Sequence, residues 1–278
     1  MVVFAGPGVA GAIRNQFNQV TNTVDSGTEG NNFISAEEKA YREAMKTVAS
    51  KEAKDWTLDE QKAAATDIAK NGTSSPVYAK AKAAMDAGIK FSTKLTNGKM
   101  LEYRIVGINH DDLADDCSKA GLTFEIINGL GKNGTMTSSV DTETGWAGCC
   151  ARQELNSGSL WSLLPSSIQN RTVLVKKQTA FQNGNKEPSL TKDRVFLLSS
   201  TEIYGDIGND GTQYEYYQEK RVNSSNCSGA ALNNTRWTRS TTRKWGDYFD
   251  LVGSEGRYYQ ISGHAIDGSY AFNPAFCF

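Results

Sequence analysis

Ile89-Lys90-Phe91-Ser92-Thr93-Lys94-Leu95-Thr96-Asn97-Gly98-Lys99-Met100-Leu101-Glu102-Tyr103-Arg104-Ile105-Val106-Gly107-Ile108 is where the chain changes period. Before it, apolar residues recur at helical spacing. From about Lys90 they take on a strand-like pattern, and Asn97-Gly98 is a dipeptide favoured in two-residue hairpin turns because both residues tolerate positive φ. The stretch predicts a hairpin with arms at 89–95 and 100–108. A switch of this kind near residue 90 makes the fold class α+β, with a small helical part followed by a strand-rich one.

Upstream of the switch the helix signals are complete. Ser35-x-x-Glu38 reads as a capping box, and Ala36, Ala40, Tyr41, Ala44, Met45, Val48 and Ala49 fall on one face of a helix running to about Lys51. Thr57-x-x-Glu60 opens a second helix that carries Leu58, Ala65, Ile68 and Ala69 to a stop at Asn71-Gly72, and Ser75-Pro76 opens a third that ends near Gly88. Their apolar stripes are narrow and rich in Ala, so these helices gain stability by docking on the rest of the chain or on another protein. The expected division is 1–89, a helical attachment or oligomerisation module, and 90–278, the functional domain. At the N-terminus, Val2-Val3-Phe4-Ala5 before Gly6-Pro7-Gly8-Val9-Ala10-Gly11 imitates a dinucleotide-binding fingerprint, but no alternating strands and helices follow and Asp25 sits in a loop-like stretch.

Downstream, residues 122–127, 173–175, 195–199 and 214–217 read as strands. Residues 146–155 and 160–170 read as helical, the second interrupted at Pro165. The 278 residues carry 30 basic and 31 acidic side chains, a formal net charge of -1, so no global field draws the chain to nucleic acid. No stretch approaches the roughly 20 apolar residues of a membrane span, and Met1-Val2-Val3-Phe4 lacks a preceding basic region, so synthesis in the cytoplasm without a cleaved signal is expected. Five cysteines (Cys117, Cys149, Cys150, Cys227, Cys277) are too few and odd in number for a disulfide framework, which predicts free thiols.

Chemistry-bearing clusters are sparse. Asn109-His110-Asp111-Asp112-Leu113-Ala114-Asp115-Asp116 is oxygen-rich enough to leave Ca²⁺ open as a cofactor, without the glycine and glutamate spacing of an EF-hand; Gly205-Asp206-Ile207-Gly208-Asn209-Asp210-Gly211 is a weaker version and reads as a turn. His110 and His264 are the only histidines, and no nucleophile elbow, zinc-protease or phosphate-loop motif is present, so no catalytic residues are assigned and a non-enzyme is expected. Residues 232–278 differ in kind. Apolar anchors (Trp237, Phe249, Leu251, Val252, Phe272, Phe276) bracket a segment with the composition of a paratope, rich in Tyr, Ser, Gly and Asp. The ligand-binding candidates are Lys244, Trp245, Asp247, Tyr248, Asp250, Ser254, Glu255, Arg257, Tyr258, Tyr259, Ser262, His264, Ile266, Asp267, Ser269 and Tyr270. Trp237, Arg239 and Pro274-Ala275-Phe276 are expected to be framework, Arg239 by fixing loop carbonyls or a carboxylate with its planar guanidinium.

One ordered set of motifs carries a family resemblance. Ile108-Asn109-His110-Asp111-Asp112-Leu113, Trp146, Arg152 with Leu155-Asn156, Leu164-Pro165, Val175-x-Lys177-x-Thr179, Val195-Phe196-Leu197-Leu198-Ser199 with Glu202-Ile203-Tyr204, Trp237-x-Arg239-Ser240, Gly256 and Pro274-Ala275-Phe276 together resemble a domain common in proteins of gut bacteria and their phages. That domain is similar to the C-type-lectin-like fold, and several relatives are variable proteins of diversity-generating retroelements, whose C-terminal codons are rewritten to vary a ligand-binding face. The resemblance spans roughly 90–278 and departs at Thr241, where relatives carry proline. It implies a receptor-binding adhesin at a phage or prophage tail-fibre tip or on an extracellular surface, with a cell-surface protein or glycan as partner. It further implies a homo-oligomer, a trimer by analogy with fibre tips, joined to other tail proteins through the N-terminal module. The variable region would be about 237–273. Tyr248, Asp250, Ser254, Tyr258, Tyr259, Ser262, His264, Ile266, Asp267, Ser269 and Tyr270 are all reachable by mutating the adenines of an Asn codon ending in C, whereas Lys244, Trp245, Glu255 and Gln260 are not. The alternatives are a structural fibre or baseplate component and, from the same fold, a formylglycine-generating-type oxidase using cysteines and a metal.

Overall fold

The computed structural model describes residues 36–115, 117–138, 145–180, 188–241, 248–264 and 266–278. It divides into two compact units, Met1–Ala44 and Met45–Phe278. Helix α1 (Ala36–Ser50) runs through the division. In the first unit its exposed surface carries an i,i+4 pair, Arg42 Nε to Glu38 Oε1 at 2.8 Å. Ser35, its expected cap, and the glycine-rich N-terminus lie outside the described residues.

In the second unit α2 (Leu58–Asn71) starts as expected: Thr57 Oγ1 accepts from the Glu60 N–H at 3.3 Å while Glu60 Oε2 accepts from the Thr57 N–H at 2.8 Å. Helix α3 (Tyr78–Ala87) ends at Gly88, whose left-handed φ of 64° lets its N–H reach the Ala84 and Met85 carbonyls. The boundary expected at 89/90 falls inside this unit. The small faces of α2 and α3 explain why: Ala64, Ala65, Ile68, Ala81, Ala84 and Met85 are buried, and a Cβ on Gly121 would sit 1.8 Å from the Ala65 carbonyl oxygen. The helix backbone thus approaches the sheet where only glycine fits. Gln61 Oε1 accepts from the Tyr103 hydroxyl at 3.1 Å, and Asn109 Nδ2 donates to the Ile68 carbonyl at 3.0 Å.

The hairpin expected around Asn97-Gly98 is present as β1 (Phe91–Lys94) and β2 (Met100–Ile108), with Phe91 opposite Tyr103. β3 (Leu122–Ile126) follows. After β4 (Asn133–Gly134) come four short helices, α4 (Gly145–Gly148), α5 (Cys150–Asn156), α6 (Ser159–Leu163) and α7 (Ser166–Gln169), the last two parted at Leu164-Pro165. β5 (Val175–Thr179) and β6 (Ser189–Asp193) form a two-stranded sheet, so the strand expected at 173–175 begins only at Val175. β7 is limited to Val195–Phe196, because Ser199 caps α8 (Ser200–Tyr204) through a capping box with Glu202. The strand expected at 214–217 is instead α9 (Glu215–Glu219). The three-residue spacing of Tyr214 and Tyr217 turns both rings inward, where their hydroxyls meet Asp111 and Glu125.

The remaining strands are β8 (Arg236–Thr241), β9 (Tyr248–Val252), β10 (Tyr258–His264), β11 (Tyr270–Ala271) and β12 (Ala275–Cys277). One five-stranded sheet has the order β1-β2-β3-β12-β7 and is antiparallel throughout; the other has the order β10-β9-β8-β11-β4, with β11 parallel to β8. The C-terminal strand therefore lies inside the first sheet. Phe276 stacks on Phe124 at 5.4 Å between centroids, Phe278 lies 5.1 Å from Phe124, and Tyr103 and Phe91 complete the aromatic core. Placing Ala275–Cys277 between β3 and β7 anchors the C-terminal end of the 232–278 segment.

Candidate functional site

The site is built on four buried charges brought together from separate elements. Asp111 follows β2, Lys177 lies on β5, Glu202 on α8 and Arg239 on β8. Lys177 Nζ is 2.7 Å from Asp111 Oδ1 and 2.6 Å from Glu202 Oε1. Arg239 grips Glu202 with both terminal nitrogens, Nη2 at 2.8 Å from Oε1, and donates to the carbonyls of Leu197 (3.0 Å), Gln178 (3.1 Å) and Asp210 (2.8 Å). Thr123 and Tyr214 hydroxyls donate to Asp111 Oδ2 at 2.6 and 2.9 Å. Two cations and two anions thus cancel in a desolvated cluster in which hydrogen bonds take up most of the remaining valences, Arg239 Nε being left without a partner, and such pairing is what makes buried charges tolerable. Burial alone would raise the Glu202 carboxyl, but Arg239 and Lys177 outweigh it and hold it below the usual range. For Asp111, burial is likewise overcome by Lys177 and His110, and its carboxyl is held well below that range.

Arg239 also fixes the loop 205–211. Gly205, Gly208 and Gly211 adopt φ of 76°, 78° and 112°, values glycine supplies without strain. The loop is tied at its middle, where Thr201 Oγ1 donates to the Ile207 carbonyl at 2.6 Å and accepts from the Asp210 N–H at 3.0 Å, and Ser199 Oγ donates to the Asp210 carbonyl at 2.9 Å. Between this loop and β8–β10 lies a cleft of 340 Å³, lined by Ala180, Ser200, residues 206–210, Ser240, Thr241, Asp250, Tyr258 and Gln260. At its floor Asp250, only 3% exposed, accepts at Oδ2 from Ser200 Oγ (2.9 Å) and the Tyr258 hydroxyl (3.0 Å). Burial raises the Asp210 carboxyl above its ordinary range despite nearby Arg239.

The structure sorts the sequence candidates. Ser254, Glu255 and Arg257 are exposed at the β9–β10 turn; Tyr259 is half-buried on β10, its hydroxyl donating to Glu255 Oε1 at 2.6 Å and its ring 5.7 Å from the Arg257 guanidinium. Asp267 and Ser269 are exposed and Ile266 half-buried in the segment leading to β11, while Tyr248 is half-buried at the start of β9. Asp250 and Tyr258 line the cleft but are also tied into the frame, Tyr258 packing edge-on against Tyr204 at 5.6 Å. Tyr270 packs edge-on against Trp237 at 5.0 Å. Lys244, Trp245 and Asp247, with the side chains of Ser262 and His264, lie outside the described residues. Ser200, Ala180, residues 206–210, Ser240, Thr241 and Gln260 complete the cleft and are not among the ligand-binding candidates read from sequence. The signal for the first of them is the Ser199-x-x-Glu202 capping box, hidden by the apolar run before it.

The acidic stretch after β2 does not converge on a cation. Asp111 turns inward to Lys177, Asp112 Oδ1 pairs with Lys119 at 2.9 Å, Asp115 lies 3.6 Å from Lys192, and Asp116 is outside the described residues. No group of three His, Cys, Asp or Glu placed to hold a metal occurs among the described residues. His110 stacks on Tyr214 at 4.0 Å, with Nδ1 3.1 Å from Glu215 Oε1 and Nε2 3.2 Å from Thr212 Oγ1. Burial would lower its pKa, but the Glu215 hydrogen bond and the Asp111 charge raise it. All five thiols are free: Cys149 is buried and pushed up to about 12 by desolvation, Cys277 is buried beside Asp111, and Cys150 is half-buried with its thiol lowered by hydrogen bonding to Ser138.

Residues 118–278 match a family described as "Domain of unknown function (DUF6273)". No curated protein and no solved structure matches the chain.

Proposed function

We propose that this chain, which belongs to the DUF6273 family, is a non-enzymatic receptor-binding protein. On this reading residues 90–278 are a C-type-lectin-like scaffold that presents β9, β10 and the 266–270 segment to a cell-surface protein or glycan, at the tip of a phage or prophage tail fibre. The observation that carries the reading is the division of labour within 232–278. Trp237, Arg239, Phe272 and Phe276 are buried, Arg239 in the ion network and Phe276 in the aromatic core, whereas Ser254, Glu255, Arg257, Gln260, Asp267 and Ser269 are exposed between them. A rigid frame under adaptable polar and aromatic side chains is how paratopes limit the entropy lost on binding.

Of the thiols, Cys149 and Cys277 are buried with raised pKa values, the opposite of what a thiolate nucleophile needs, so an oxidase of the formylglycine-generating type would have to draw on the others, among which Cys150 is lowered by hydrogen bonding to Ser138. The adhesin reading is tested by labelling the purified chain and measuring its binding to a panel of gut-bacterial cells. Arg257→Ala with Tyr259→Ala should reduce binding at least tenfold without moving the melting temperature. Undiminished binding by that folded variant would refute the proposal.

A further inference from the structure

We infer that the cleft between the 205–211 loop and β8–β10 binds a neutral saccharide directly, without a bridging metal ion. The inference rests on the ligand-binding reading of this face and names the ligand's chemistry. At 340 Å³ the cleft is at the small end of ligand sites, which run from about 300 to 1,000 Å³. Its lining mixes hydroxyls, amides and carboxylates with the apolar surfaces of Ala180, Ile207 and the Tyr258 ring, and the loop that walls it is held in place by Thr201, Ser199 and Arg239, so the cavity is formed before any ligand arrives.

Three classes of ligand can be weighed against that lining. An anion would meet Asp206, Asp210 and Asp250, and no Lys, Arg or His lines the cleft among the described residues. A cation would find these carboxylates largely engaged. Asp206 accepts from the Ser224 N–H at 2.9 Å and its hydroxyl at 2.6 Å, Asp250 accepts from Ser200 and Tyr258, and Asp210 Oδ1 accepts from the Ala180 N–H at 3.0 Å. A polyol fits best. The amides of Asn209 and Gln260, both exposed, and the hydroxyl of Thr241 each donate and accept, as sugar hydroxyls do. The floor already pairs hydroxyls with a carboxylate, Ser200 and Tyr258 on Asp250, which is the interaction a sugar hydroxyl would extend. The raised Asp210 carboxyl is consistent with an uncharged ligand.

The test uses the full chain and saturation-transfer NMR followed by calorimetry. Probes are a library of neutral mono- and disaccharides, with sialic acid as the anionic control and lysine methyl ester as the cationic one. At least one neutral saccharide should bind, with affinity unchanged by EDTA. Asn209→Ala and Gln260→Ala should each weaken it about three- to tenfold, one neutral hydrogen bond apiece, with unchanged melting temperatures. Binding only of sialic acid or lysine methyl ester, dependence on a divalent ion, no neutral binder in the library, or affinity untouched by both substitutions would each overturn the inference. Cell binding separates the two proposals. If it survives Asn209→Ala/Gln260→Ala but is lost with Arg257→Ala/Tyr259→Ala, the face binds and the saccharide cleft is wrong; if neither pair reduces it, both are wrong.

Discussion

Replacing Arg239 by alanine should lower the stability of the Met45–Phe278 unit by about 4 kcal/mol. The side chain is fully buried, holds both oxygens of Glu202 and supplies donors to three main-chain carbonyls, those of Leu197, Gln178 and Asp210. Removing one member of a buried ion pair costs about 3–5 kcal/mol, because the survivor is left desolvated and unpaired. Lys177, 2.6 Å from Glu202, remains and softens that loss, while the abandoned carbonyls of about 1–3 kcal/mol each push the other way without adding in full. For a unit of this size about 2–4 °C is lost per kcal/mol, so the melting temperature should fall by roughly 8–16 °C. Arg239→Lys keeps the charge but not the fork and should fall between the two. The assay is thermal and urea unfolding followed by far-UV circular dichroism. A loss under about 1 kcal/mol for Arg239→Ala would show that the network is incidental to the frame.

Gly121→Ala forces a methyl group to 1.8 Å from the Ala65 carbonyl oxygen, so it should destabilise by about 2–4 kcal/mol in the same unfolding assay; a neutral outcome would mean that α2 does not pack on the sheet as described. His110 has a raised folded pKa, so its contribution is fully present below the unfolded value near 6.5 and is lost as pH rises through the folded one. Melting temperatures measured from pH 5.5 to 8.5 should therefore fall more in the wild type than in His110→Asn, and parallel curves would remove the His110–Glu215 pair from the account. Tyr258→Phe deletes a hydrogen bond to buried Asp250 and should cost about 1 kcal/mol, whereas Tyr259→Phe, whose hydroxyl meets only exposed Glu255, should stay within about 0.5 kcal/mol. Equal losses from the two would contradict the separation of frame from face.

What the sequence revealed follows from where its signals are local. The Thr57 capping box, the Gly88 stop, the Asn97-Gly98 hairpin and the Pro165 break all stand as expected, because each depends on residues within a few positions of one another. The misreadings are tertiary. Tyr214, Tyr216 and Tyr217 have strand propensity, yet a helix is chosen because it points Tyr214 at Asp111 and Tyr217 at Glu125 from across the fold. The boundary expected at 89/90 falls inside one compact unit for a related reason: the Ala-rich faces pack where later residues form the sheet, and Gly121, which admits the Ala65 backbone, gives no sign of this alone. In the candidate site, composition picked out the exposed turn at Ser254, Glu255 and Arg257, but it could not see that Asp250 is floor as well as ligand surface. Its carboxylate is tied to Ser200, and Ser200 N–H donates to Ser240 Oγ on β8, which carries Arg239. Asp250 can therefore be replaced only at a cost to the frame, whereas Ser254, Arg257 and Gln260 can change with little. If the face is diversified, the tolerated changes should concentrate at those exposed positions and be depleted at Asp250, and a deep mutational scan read first for folded yield and then for cell binding would show whether that asymmetry exists.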